Sequence, residues 1–167
     1  IIKSSHRVVS NRSYLFKDND IKSGYINYLP LGSQIYVNDF DDFWAKVYLG
    51  NNTNQKFAYI PRKHLIRNED KMDDWVSTAE KLIGTPYVWG GRSCSGIDCS
   101  ALVQLSMKNV GINLPRNTND QILFMVSSPR FKLVKLDQIK ELAIKKGFII
   151  YRPKHVGIIS KKNTLLH

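Results

Sequence analysis

The sequence has little sulfur, little acid and no long apolar run. Cys94 and Cys99 are its two cysteines among 167 residues, too few for a disulfide scaffold. Its four histidines are spread along the chain, and no Cys/His spacing suits a zinc site. No stretch approaches the ~18 consecutive apolar residues of a membrane helix. The opening Ile1-Ile2-Lys3-Ser4 holds neither an initiator Met nor the apolar core of a signal peptide, so the sequence reads as clipped at its start. Acidic residues number 14 against 25 Lys and Arg, a net charge of +11. That balance suits nucleic acid or an anionic envelope polymer. The basic residues are scattered, however, and no nucleic-acid motif accompanies them, so no nucleic-acid partner is expected. A hydrophobic content of 43% is enough for one packed domain or two small ones.

The N-terminal third reads as short strands, over residues 6–10, 13–17, 33–37, 44–49 and 57–61, separated by turns rich in Asp, Asn, Gly and Pro. Five short strands in some sixty residues suggest a small barrel. The runs Leu29-Pro30-Leu31-Gly32-Ser33-Gln34-Ile35-Tyr36-Val37, Phe43-Trp44-Ala45-Lys46-Val47 and Ala58-Tyr59-Ile60-Pro61 resemble a bacterial SH3-type module. Tyr25, Tyr28, Tyr36, Phe43, Trp44, Tyr48 and Tyr59 could line a ligand groove. A barrel this small also needs bulk, so most of them are expected in its core or at a domain interface. His6 and His64 fall in this part without a partner motif and are expected to be surface or interface side chains.

Residues 67–73 are charged and read as a linker, which divides the chain into domains over 1–68 and 72–167. Asp73 or Asp74 caps a helix with the apolar stripe Trp75, Val76, Ala79, Leu82 and Ile83, ending at Gly84. A further short helix is expected over 118–126. Residues 127–146 read as a strand followed by a turn or helix. Residues 147–152, 155–160 and 164–167 then form an antiparallel meander of strands.

Chemistry concentrates at Tyr87-Val88-Trp89-Gly90-Gly91 and Gly96-Ile97-Asp98-Cys99-Ser100. A strand-like trio runs into two glycines and a polar turn. Asp98-Cys99-Ser100 then opens the helical pattern Ala101, Leu102, Leu105, Ser106 and Asn109. Cys99 therefore sits at a helix N-terminus, where free N–H groups and the dipole favour a thiolate. Cys94 reads as a small, partly buried side chain. Gly90, Gly91 and Gly96 serve backbone conformation. His155 begins one strand of the meander and His167 ends the next, twelve residues on. The hairpin between them brings the two histidines together at one end.

These segments, with Gly111-Ile112-Asn113-Leu114-Pro115-Arg116 and His155-Val156-Gly157-Ile158, resemble the NlpC/P60 family of cysteine peptidases from about residue 75 onward. The family cuts bacterial cell-wall peptides. Ala101 stands where it usually has Gly, and Asn117-Thr118 where many members have Asp-Ser. The resemblance implies an α+β chain, with a small SH3-like β-barrel followed by a papain-like domain of helices packed on an antiparallel sheet. It implies Cys99 as nucleophile, His155 as base and His167 as the orienting residue. Tyr87 would supply an oxyanion donor, and Asp98, Ser100 and Thr118 would recognise substrate. Asp98 can equally be a helix cap.

The reading is hydrolysis of the γ-D-glutamyl to diamino-acid bond in peptidoglycan stem peptides or muropeptides, by a monomer without metal or organic cofactor. An amidase or acyltransferase using the same three residues, and a wall-binding module with an inactive papain-like half, remain as alternatives. Action in the cytoplasm on recycled wall fragments and action at the envelope fit equally well.

Overall fold

The computed structural model describes residues 3–51, 55–135, 145–161 and 164–167. The chain divides into two compact units, Ile1–Lys71 and Met72–His167.

The first unit is built from antiparallel strands β1 (His6–Val8), β2 (Arg12–Phe16), β3 (Tyr25–Pro30), β4 (Gln34–Phe40), β5 (Trp44–Tyr48), β6 (Phe57–Pro61) and β7 (Leu65–Arg67). They hydrogen-bond in the order β3-β2-β6-β5-β4-β1-β7. Among the described residues β3 and β7 do not pair with each other, so the order is open.

Period-two alternation decides what each strand buries. Ser13 and Leu15 of β2, Ala45 and Val47 of β5, and Ala58 and Ile60 of β6 point inward, and with Val8 and Val37 they make the core. That core is aliphatic, so the part of the expectation that placed the aromatics in the core is not met. The rings occupy the alternate positions. Tyr25, Tyr36 and Phe43 are exposed, and Trp44 packs edge-on against Phe16 at 5.3 Å rather than among the buried residues. The register leaves inward places only to side chains small enough to meet across a narrow sheet.

β3 was not foreseen from the sequence, because Gly24, Asn27 and Pro30 read as breakers. It lies at an end of the sheet order, pairing with β2 from Arg12↔Pro30 to Leu15↔Asn27. An edge strand tolerates a proline. His64 Nδ1 is hydrogen-bonded to the fully buried Ser13 hydroxyl at 2.7 Å, so it is tied into this unit rather than free on its surface. The expected linker is also held. Arg7, 4% exposed, donates to the carbonyls of Arg67, Asn68 and Asp70 at 2.7, 3.1 and 2.8 Å.

The second unit holds α1 (Trp75–Glu80), strands β8 (Arg92–Ser93) and β9 (Gly96–Ile97), α2 (Cys99–Lys108), α3 (Thr118–Val126), and strands β10 (Ile149–Arg152), β11 (His155–Lys161) and β12 (Thr164–Leu166). Asp74 caps α1, its Oδ1 accepting from Val76 N and Ser77 N at 2.9 and 3.2 Å. α1 ends at Glu80, one turn earlier than the apolar stripe suggested. The next residues form turns closed by Gly84 at φ +84°.

β10, β11 and β12 form an antiparallel sheet with β11 central. α1 and α2 pack against β11, burying Val76, Ala79, Leu102, Val103, Leu105, Val156 and Ile158. Each such aliphatic side chain removed from water contributes about 1.5–3 kcal/mol. Residues 127–135 form no strand. The rest of the expected strand and turn, residues 136–144, lies outside the described residues, as do residues 162 and 163 of the last turn.

Candidate active site

Cys99 is the first residue of α2, and Asp98 is its N-cap. The cap follows from chemistry. Asp98, in extended backbone, turns Oδ1 onto the Ala101 N–H at 2.8 Å, satisfying a donor the helix itself cannot. The first intrahelical bond runs from Leu102 N to Asp98 O at 3.0 Å. The Cys99 and Ser100 amides therefore precede any i−4 acceptor. Cys99 itself is 4% exposed.

The short β8–β9 hairpin sets the entry to this turn. A Cβ on Gly91 would lie 2.5 Å from the Gly96 carbonyl oxygen, so only glycine lets the two backbones meet there. The expected strand over 87–89 is not formed. Tyr87 makes one isolated bridge to Ile97, and Tyr87, Val88 and Trp89 are exposed. Without a second strand to continue the ladder, this segment lies open to solvent. Tyr87 is nevertheless close enough to Cys99 for the thiol to influence the ionisation of the phenol. Partial burial, then the negative charge of Cys99 and Asp98, pushes the phenol's ionisation up, and Arg116 partly opposes the shift.

Asp98 does more than cap. Its Oδ2 accepts from Gly90 N at 2.9 Å and from Arg116 Nη2 at 2.5 Å. Its Oδ1 also accepts from Arg116 Nη1 at 3.0 Å and the Ser100 hydroxyl at 3.1 Å. Burial alone would raise this carboxyl, but Arg116, the Ala101 and Gly90 amides and Ser100 outweigh it and hold Asp98 below the usual carboxylate range. Five donors fill a carboxylate that offers roughly four lone-pair sites. Ser100 is buried and also takes a bond from Arg116 Nη1 at 2.8 Å. Thr118 opens α3 and is partly exposed.

The histidines come from the sheet. Arg152 pairs with His155 across a two-residue turn at Pro153 and Lys154, where Lys154 has φ +65°. His155 therefore starts β11. β12 returns beside β11 in the register Ile158↔Leu166, which carries His167 back toward His155. A Cβ on Gly157 would sit 2.7 Å from Leu165 Cδ1 and 3.0 Å from the Leu166 carbonyl, so this glycine permits the close return. His155 Nε2 and His167 Nδ1 lie 3.1 Å apart. Burial, then the charges of Arg152 and His167, lowers the His155 pKa from its ordinary value.

A cavity of about 250 Å³ adjoins Tyr87, Asp98 and His167, walled by Leu82, Leu102 and Leu165. Cys94 and Cys99 are both free thiols. Among the described residues no group of three or more His, Cys, Asp or Glu is arranged to hold a metal, and no helix is long and apolar enough to cross a membrane.

The structure thus gathers Tyr87, Asp98, Cys99 and Ser100 at the start of α2 and joins His155 to His167. Thr118 has no described bond to either group. Four residues of this neighbourhood had no role assigned from the sequence. Arg116 lay inside a recognised motif but was taken only as part of it. Gln121 and Met125, four apart on α3, are both buried, and a polar residue on a buried helical stripe is the signal that could have flagged Gln121. Tyr151, on β10, reads as an ordinary strand aromatic.

Comparisons with known proteins bear on this arrangement. Over its whole length the chain is 26% identical to dipeptidyl-peptidase 6 of Lysinibacillus sphaericus, covering 61% of that protein. It is 36% identical over 67 residues to a gamma-D-glutamyl-L-lysine dipeptidyl-peptidase of Bacillus cereus, covering 40% of this chain and 20% of the relative. The chain thus spans less than two thirds of these relatives. A crystal structure of an NlpC/P60 family protein from Bacillus cereus superposes with a TM-score of 0.72 at 19% identity, over 99% of this chain and 54% of the other. That is a likeness of fold. The model of the NlpC/P60 family matches residues 84–167, half of the sequence and all of the segment carrying Cys99, His155 and His167, and the chain belongs to the NlpC/P60 family.

Proposed function

We propose that the protein is a cysteine peptidase that hydrolyses the γ-D-glutamyl to diamino-acid amide bond of peptidoglycan stem peptides, with Cys99 as nucleophile. The observation that carries the reading is the Cys99 thiol at the Asp98-capped start of α2, in a unit whose sheet carries the bonded His155–His167 pair. The name of the Bacillus cereus relative, a gamma-D-glutamyl-L-lysine dipeptidyl-peptidase, supports the bond class.

In this reading His155 uses Nε2 toward His167 and keeps Nδ1 for the thiol. A base needs a lone pair on the working nitrogen, so Nε2 carries the hydrogen and donates to His167 Nδ1. His167 then holds ring and tautomer, as the third member of such a triad does. The Cys99 thiolate adds to the amide carbonyl. The resulting oxyanion is met by the Cys99 N–H and the Tyr87 hydroxyl, each contributing roughly 3 kcal/mol of barrier reduction. His155 next protonates the leaving amine. The C–N bond breaks, leaving a thioester on Cys99, and water activated by the same imidazole hydrolyses it to free acid and thiol.

Asp98, Ser100 and Thr118 are the proposed substrate contacts. An ammonium at Asp98 would have to take the place of one of the five donors already on that carboxylate, Arg116 among them, and Asp98 would receive it from a fixed position. The first unit, over residues 1–68, is proposed as an SH3-like module and residues 72–167 as the catalytic domain. The run of short antiparallel strands supports the first assignment.

The test is incubation with L-Ala-γ-D-Glu-L-Lys and with its meso-diaminopimelate counterpart, followed by mass analysis. Release of L-Ala-D-Glu and the free diamino acid is expected. Intact peptides, or cleavage at the L-Ala to D-Glu bond, would overturn the proposal.

A further inference from the structure

Gln121 has no solvent exposure, and its side-chain amide is almost fully used. Nε2 donates to the Ser100 carbonyl at 2.9 Å and to the Pro115 carbonyl at 3.0 Å. Backbone carbonyls only accept, so the nitrogen must face both of them and Oε1 must face the other way. There the Tyr151 hydroxyl donates to it at 3.3 Å. Tyr151 is largely enclosed, and burial first, then the charge of Cys99, pushes its ionisation up. The hydroxyl keeps its proton and remains a donor.

These three bonds end at three places that matter to the thiol. Ser100 directly follows Cys99. Pro115 directly precedes Arg116, whose guanidinium grips Asp98, the residue on the other side of Cys99. Tyr151 neighbours Arg152, the cross-strand partner of His155. One buried amide on α3 thus meets the start of α2, the loop that orients Arg116, and the β10–β11 hairpin, whose second strand begins with His155. Its Oε1 and its two N–H groups each have a distinct recipient, a pattern that general core packing does not require.

We propose that Gln121 is a positioning residue, which fixes the nucleophile-bearing start of α2 relative to the histidine-bearing hairpin. The turnover part of its test rests on the peptidase reading above, and the thiol-reactivity part does not. Displacing reacting groups by about 1 Å can cost on the order of 100-fold in rate.

The experiment compares Gln121→Met, which keeps length and loses all three bonds, with Tyr151→Phe, which removes only the arm to the hairpin. Each is measured for thermal midpoint and near-UV circular dichroism, for kcat and KM on the tripeptide, and for the rate at which iodoacetamide alkylates Cys99. Gln121→Met is expected to lower kcat about 10- to 100-fold with KM within about twofold. Tyr151→Phe is expected to show a smaller loss of the same kind with its fold intact, and alkylation slows in the same order. The proposal is overturned if the folded variants keep wild-type kcat and alkylation rate, or if every loss is accounted for by KM or by the unfolded fraction. Should the wild type cut neither peptide, the peptidase reading fails, and the alkylation rates of the folded variants still decide the role of Gln121.

Discussion

Arg116 and Asp98 form a two-pronged ion pair directly beside Cys99, with Nη2 to Oδ2 at 2.5 Å and Nη1 to Oδ1 at 3.0 Å. Asp98 is nearly buried and Arg116 only partly so. The pair therefore joins helix capping, loop position and the orientation of Cys99.

Removing Arg116 strands a buried carboxylate. Arg116→Ala is expected to destabilise the protein by about 3 kcal/mol. Arg116→Lys should recover only part of this, because an ammonium cannot make the two-pronged contact. Urea unfolding of the three proteins checks it, and equal midpoints for Arg116→Ala and wild type would contradict it.

The same pair makes stability depend on acid. Asp98 has a folded pKa below its unfolded value, so its contribution is present above the unfolded pKa and is lost as pH falls through the folded one. The thermal midpoint should fall as pH drops below about 4. In Asp98→Asn this acid-linked slope should shrink, an outcome that scanning calorimetry across pH 2.5–5 reads directly in terms of that unfolded value.

His155 carries a lowered pKa through burial, Arg152 and His167. The activity limb that titrates this imidazole is expected below its ordinary value of about 6.5. Arg152 is exposed, so Arg152→Gln should move the limb upward by a fraction of a unit at low salt and less at high salt. A downward movement would mean that another group sets the limb.

Among the proposed catalytic residues, Cys99→Ala and His155→Ala are expected to lose about 10³-fold or more in kcat, and the double variant should lose little beyond either. His167→Ala should retain more, because water can partly replace the bond to Nε2. Cys94→Ala, at a buried thiol, should leave turnover near wild type. Inactivation by that change would identify the wrong thiol.

Much of the second unit was legible in the sequence. Asp98 as cap, Cys99 as first helical residue and α3 over Thr118–Val126 all follow from local rules, since capping residues and stripe periodicity act within a few positions. The His155–His167 proximity was legible because a hairpin fixes register. What escaped was non-local. The bonds of Gln121 reach Ser100, 21 residues away, and Tyr151, 30 residues away, and no spacing rule links those positions. In the first unit β3 was hidden by its Gly, Asn and Pro, whose edge location is a property of the whole sheet. The exposure of Tyr36 depended on which face of β4 the core selected, and Phe43 lies in the bend before β5.

In the proposed mechanism Cys99 forms a thioester with the γ-glutamyl carbonyl of the substrate. The direct measurement is acid quench during turnover of L-Ala-γ-D-Glu-L-Lys, followed by digestion and mass spectrometry of the peptide that carries Cys99. An L-Ala-D-Glu adduct on Cys99 is expected in the wild type, with none in Cys99→Ala. An adduct on Cys94, or undiminished cleavage by Cys99→Ala, would contradict the account.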